Sequence, residues 1–288
     1  LSARSFSYIS PQPGRVFGLW IEQMIAESLG KDGRGIVPQI EIDQDLLDPP
    51  YPRRPVVVYR VKGYDRFDHT VQYLSELTPT IVYELTTEYD IGRHFILWEY
   101  ATALLGYLLR ISPFDQPDVG LAKRYTKLVL SGELDTPYET PQERWYTYRV
   151  SESVERHLPD TGGPLALGQL MSALFSSTQP TDYVSVNAFL PFVEGRRDPM
   201  ESIRHLIARD IAVPTSLNIG PRYLHSTGQL HKGGENTGVF LILSAEESPD
   251  IAIPGFDFTL GELAIGQAKG DFAALDERGR RVIHLHLV

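Results

Sequence analysis

Apolar positions along this chain switch between two spacings. Over 19–28, Leu19, Trp20, Met24 and Ile25 recur at the three-to-four-residue interval of a helix face. Gly30, Gly33 and Gly35 then form a loop before Ile36-Val-Pro, and 43–55 reads as loop because it carries Pro49, Pro50, Pro52 and Pro55. Residues 55–61, Pro-Val-Val-Val-Tyr-Arg-Val, are a short apolar run of the kind buried on both faces of a parallel sheet. A helix over 67–77, a strand over 80–85 and a long helix over 93–110 continue the series. Strand–helix–strand–helix alternation predicts an α/β layered fold.

The next stretch, 111–117, is a turn punctuated by Pro113 and Pro117, followed at once by a helix. Pro117 suits a first helical turn, where its missing N–H costs nothing. Gln116 and Lys123 are seven residues apart, about two turns, so both can point to one side. Residues 132–165 read as a connector with a helix over 141–157, and Thr161-Gly-Gly-Pro marks a boundary. A second α/β series follows, with strands over 182–190, 211–219, 238–244 and 282–287 and helices over 200–209 and 259–275. The expected organisation is an extended lead-in at 1–17, an αβα domain at 18–131, a helical connector at 132–165 and an α/β subdomain at 166–288.

A length of 288 residues allows a sizeable core, and 42% hydrophobic with 22% charged residues fits a globular protein. The net charge of −10 argues against nucleic acid or an anionic membrane as the main partner. Cysteine is absent, which excludes disulfides, thiol nucleophiles and thiolate metal sites. The first residues lack the apolar core of a signal peptide, and no apolar run approaches membrane-spanning length. A cytoplasmic location is expected. The chain starts with Leu rather than Met, which reads as part of a larger protein.

Several side chains are candidates for chemistry. Glu27, at the end of an apolar helix and ahead of glycines, can be a general base at a cleft edge or a solvated helix-end carboxylate. Glu22 lies on a different helical face. His225 follows a strand and a Gly-Pro turn, where α/β sheets bind ligands, although a lone histidine is more often structural. Lys123 by spacing alone is a surface lysine. Lys232, before Gly233-Gly234, can meet an anion or sit in a surface turn. His225 and His231 are six residues apart with no acidic cluster nearby, a poor metal signature. His284 and His286 point the same way from the last strand.

Three blocks carry a family resemblance. Phe114-Asp-Gln-Pro with Lys123, the segment 18–38 around Ile25-Ala-Glu-Ser-Leu-Gly-Lys31, and Leu224-His-Ser-Thr-Gly-Gln-Leu-His-Lys232 are similar to segments of phosphoglucose isomerases. The likeness runs over about 18–38, 93–128 and 219–275. It is nearest to the isomerase part of bacterial transaldolase/glucose-6-phosphate isomerase fusions. The resemblance implies a three-layer αβα sugar isomerase (SIS-like) domain that interconverts glucose 6-phosphate and fructose 6-phosphate through a cis-enediol, without cofactor or metal. It implies Glu27 as the C1/C2 base and His225 with Lys123 in ring opening. Gln116, Ser226, Gln229 and Lys232 would then contact the substrate.

Two departures accompany it. In the single-function enzymes the histidine block lies between the other two, whereas here it comes last. The Ser/Thr-rich phosphate loop and the Gly-Gly-Arg segment of the family are not found. The chain therefore reads as a C-terminal portion, weak or inactive without an upstream SIS or transaldolase part, with homo-oligomerisation left open. A non-catalytic sugar-phosphate binding module of the same fold is the alternative. An inert fragment with an assembly surface is a third reading.

Overall fold

A computed structural model describes residues 4–10, 14–41, 54–63, 68–134, 137–141, 143–191, 197–246 and 249–288. Most of the loop expected over 43–55 lies outside the described residues. The chain divides into two compact units: Leu1–Pro117, Ile207–Pro214 and Ser226–Glu235 form the first, and Asp118–Leu206, Thr215–His225 and Asn236–Val288 the second.

The first unit contains β1 (Ser5–Ile9), α1 (Arg15–Leu29), β2 (Val37–Glu41), β3 (Val56–Val61), α2 (Asp68–Leu77), β4 (Thr80–Leu85) and α3 (Ile91–Leu109). Its strands are all parallel, in the order β2-β1-β3-β4. Neighbouring strand residues face opposite ways, so one strand supplies two cores. Tyr8, Val57 and Tyr59 meet Phe17, Ile21 and Ile25 of α1 and Trp98 of α3. Ile9, Val56 and Val58 meet Leu74 of α2 on the other side. These are the three layers expected from the sequence. Polar tips inside the larger core are paired: Trp98 Nε1 donates to Tyr59 Oη at 3.0 Å, and that hydroxyl lies 2.9 Å from His94 Nδ1. The lead-in, expected to be extended, holds β1, one of the two inner strands of this sheet. Its Ser-Phe-Ser-Tyr-Ile mixture hides a buried strand because Ser7, fully buried, is small enough to sit inside.

The second unit contains α4 (Val119–Leu130), β5 (Tyr146–Val150), α5 (Glu152–Glu155), α6 (Leu167–Ser176), β6 (Tyr183–Phe189), most of α7 (Arg197–Ile211), β7 (Thr215–Ile219), β8 (Gly238–Ala245), α9 (Leu260–Glu277) and β9 (Arg281–Leu287). Its sheet runs β5-β9-β8-β6-β7, parallel except for β5 against β9. The helix expected over 141–157 is therefore corrected to a strand followed by one helical turn. Tyr146, Tyr148 and Val150 are buried while Thr147 and Arg149 are partly exposed, a period of two rather than 3.6. Helix α4 lies along α9, where Gly270 permits close approach: a Cβ there would stand 2.6 Å from the Thr126 backbone N. The start of α9 is fixed by a capping box, with Glu262 N–H donating to Thr259 Oγ1 at 3.1 Å and Thr259 N–H donating to Glu262 Oε2 at 2.8 Å.

Candidate active site

The C-terminal end of α1 is where the first unit gathers its distant segments. Glu27 is half-buried there and accepts from Gln23 Nε2 at 3.3 Å, one turn earlier. The helix stops at Gly30, whose N–H donates to Ala26 O at 3.1 Å. A Cβ at Gly30 would lie 2.3 Å from Leu230 Cα, so glycine is required by backbone contact and not by dihedral angle, its φ being −84°. The contacting segment is a short helix, α8 (Thr227–Gly233), where a loop was expected. Gln229, fully buried, donates from Nε2 to Gly30 O at 2.8 Å, and Gly33 N–H donates to Gly233 O at 2.9 Å.

Lys31 makes the second connection. It is 2% exposed, and its ammonium donates to the backbone carbonyl of Asp115 and, at 2.9 Å, to Asp115 Oδ1. Arg34 donates to the carbonyl of Leu109 at the end of α3. The glutamate block, the Phe-Asp-Gln turn and the helix after His225 are thus joined within one unit. Gln116, next to Asp115, is solvent-exposed. Ser226 and Lys232 are buried, and Lys232 Nζ donates to Gly228 O at 3.1 Å inside α8. Lys232 stands in the last turn of a helix and is buried, not in a surface turn. Lys31 escaped sequence reasoning. The available signal was a lysine set among glycines directly after the helix carrying Glu27.

In the second unit, Lys123 and His225 line one cavity of about 540 Å³. Thr126 and Lys127 of α4, Asp257 ahead of α9 and Gln267 within α9 share its wall. His225 ends a 3-10 turn (Arg222–His225) that follows β7. Arg124 and Tyr125, between the two lysines, turn instead toward Glu277. Among the described residues, neither Lys123 nor Lys127 has an ion-pair partner.

These segments have counterparts in known proteins. The chain is distantly related to glucose-6-phosphate isomerases. It is 28% identical over 156 residues to a glucose-6-phosphate isomerase of Mycoplasmopsis pulmonis, covering 40% of this chain and 36% of that protein. It is 28% identical over 152 residues to a probable glucose-6-phosphate isomerase of Methanococcus maripaludis, covering 41% of this chain and 35% of the relative. The match spans about a third of each relative's length. No family model matches. A hypothetical protein from Thermus thermophilus aligns over 99% of this chain and 72% of its own at 13% identity, with a TM-score of 0.33, too low to argue from.

The second unit also holds a buried polar chain. Tyr138 Oη lies 2.6 Å from His284 Nδ1, His284 Nε2 lies 2.7 Å from Ser244 Oγ, and the same hydroxyl lies 2.9 Å from His286 Nδ1. Burial pushes His284 well below the ordinary histidine range, helped by His286 and the charges of Lys269 and Arg149, and lowers His286 as well. Hydrogen bonding to Ser244 of the neighbouring strand β8 accounts for both histidines. Among the described residues, no group of three or more His, Asp or Glu is placed to hold a metal ion, and no helix is long and apolar enough to cross a membrane.

Proposed function

We propose that this chain is a sugar-phosphate aldose–ketose isomerase unit that interconverts glucose 6-phosphate and fructose 6-phosphate. The observation carrying the proposal is the joining of the Glu27 helix to the Phe-Asp-Gln turn and to α8 through Lys31 and Gln229. In the open-chain aldose, the Glu27 carboxylate takes the proton from C2. The C–H electron pair forms the C1=C2 bond of a cis-enediol as the carbonyl oxygen O1 gains a proton. Loss of the O2 proton and return of the carbon-bound proton to C1 complete the ketose, with no change in atoms or redox state. Half-burial of Glu27 limits its competition with water. Lys123 and His225 serve ring opening, moving a proton between O1 and O5, while Gln116 positions a hydroxyl. Gln229 and Lys31 act as positioning residues, since their polar ends hold backbone segments.

The test is a coupled isomerase assay on the full natural protein. Glu27→Gln is expected to lower kcat by about 10²–10⁴, the usual scale of general-base catalysis, with the fold retained. An unchanged kcat refutes the assignment. A second assignment of the histidine role rests on one observation: His231 lies in α8, the helix packed on α1, in the same unit as Glu27. A loss in His231→Ala with none in His225→Ala moves the ring-opening role to His231.

A further inference from the structure

Helix α3 buries one face and leaves an apolar one open. His94, Trp98, Thr102 and Gly106 are its buried residues, with His94 and Trp98 bonded to Tyr59 of the sheet. On the other side stand Ile96, Leu97, Tyr100, Leu104, Tyr107 and Leu108, all exposed, Tyr100 at 74% and Tyr107 at 78%. Positions 97, 100, 104 and 107 alternate spacings of three and four, the rhythm of a heptad seam, and Ile96 and Leu108 flank them. Glu99 is the only charged residue between Ile96 and Leu108, and helical periodicity sets it to one side of the stripe. At about 200 Å² for a fully exposed residue of this size, the six present roughly 700 Å². That exceeds the ~300–600 Å² of the largest patch on a typical monomer and approaches the ~800 Å² each partner gives to a standard interface.

We infer that α3 packs against α3 of a second copy of this chain, antiparallel, about a two-fold axis at the level of Thr102. A two-fold interface uses one patch twice, so residue i meets residue j of the copy and j meets i. The stripe is arranged for that. Tyr100 and Leu104, Leu97 and Tyr107, and Ile96 and Leu108 lie at equal distances on either side of position 102. Reversing one helix therefore sets each tyrosine against a leucine and each isoleucine against a leucine. Large side chains then alternate with smaller ones across the seam, as close packing requires. A parallel pair would stack each tyrosine on its own copy and leave leucine facing leucine. An unrelated partner would impose no such symmetry on the six positions.

The experiment follows the full natural protein by sedimentation velocity across a concentration series. The wild type is expected to sediment at twice its chain mass. Leu104→Glu enters each dimer twice at the centre of the seam and is expected to weaken association about a hundredfold or more. Its far-UV circular dichroism is expected to match the wild type, because residue 104 is exposed. Register is read by disulfide trapping, since this chain has no cysteine of its own. Ile96→Cys/Leu108→Cys is expected to give a covalent dimer on oxidation. Either single variant is expected to stay unlinked, its own copy lying about 18 Å away along the axis at 1.5 Å per residue, too far for a disulfide. A wild type that stays monomeric at every concentration overturns the proposal, as does a dimer indifferent to Leu104→Glu. Single cysteines that crosslink as well as the pair overturn it too, because they place the helices parallel.

Discussion

The Lys31–Asp115 pair links the end of the Glu27 helix to the Phe-Asp-Gln turn, and its two partners are unequally buried. Lys31 is 2% exposed and the Asp115 side chain 63% exposed. Removing Asp115 as Ala keeps its backbone carbonyl but leaves a buried ammonium with one acceptor fewer. Hydrogen bonds to charged groups contribute about 1.5–3 kcal/mol, so the expected cost is about 2 kcal/mol. Removing the ammonium as Met keeps most of the apolar stem, and the exposed carboxylate recovers its hydration. That change is expected to cost about 1 kcal/mol, well short of the roughly 3–5 kcal/mol seen when a buried partner is stranded. The double variant Lys31→Met/Asp115→Ala is expected to be no worse than Lys31→Met alone. Urea titrations in a Trp145→Phe background, where fluorescence reports on Trp20 and Trp98 of the first unit, measure all three. A Lys31→Met cost larger than that of Asp115→Ala, or simple addition in the double variant, refutes the reasoning.

Gly30→Ala places a Cβ 2.3 Å from Leu230 Cα and is expected to cost about 3 kcal/mol or to loosen α8, read from hydrogen exchange at 227–233. Gly33→Ala meets nothing within 4 Å but has φ +68°, so only left-handed strain of about 1–2 kcal/mol is expected. Equal losses at the two glycines would sink the steric account. For His284, the folded state disfavours protonation relative to the unfolded value of about 6.5, so the unfolded chain binds the extra proton. Stability of the second unit is therefore complete above about pH 6.5 and declines as pH falls below it, with a limiting slope of about 1.4 kcal/mol per pH unit. Chemical unfolding between about pH 5 and pH 8 tests this, and a flat profile contradicts it.

Elements whose periodicity is carried by large apolar residues were legible from the chain. The Val-Val-Val-Tyr run became β3, and the regions expected as helices near 93–110 and 259–275 became α3 and α9. β1 is not legible as a buried strand because two of its five residues are serines, which look polar in sequence and fit easily inside a sheet. β5 is hard to read from the chain because the alternation of Tyr146, Tyr148 and Val150 is short and sits within a stretch of charged neighbours. α8 contains Gly228 and Gly233 and has little helical propensity of its own. It forms where Leu230 and Gln229 seat against Gly30.

By itself, the sequence determined the layered α/β architecture and three blocks similar to phosphoglucose isomerase segments, because both are written in short-range patterns. It also showed that Lys123 stands seven residues beyond Gln116. The tertiary structure decided which groups meet. Lys31 reaches Asp115 across 84 positions, and Gln229 reaches Gly30 across 199. Lys127 shares its cavity with His225. Such contacts depend on where whole layers come to rest, and local spacing along the chain has no term for that.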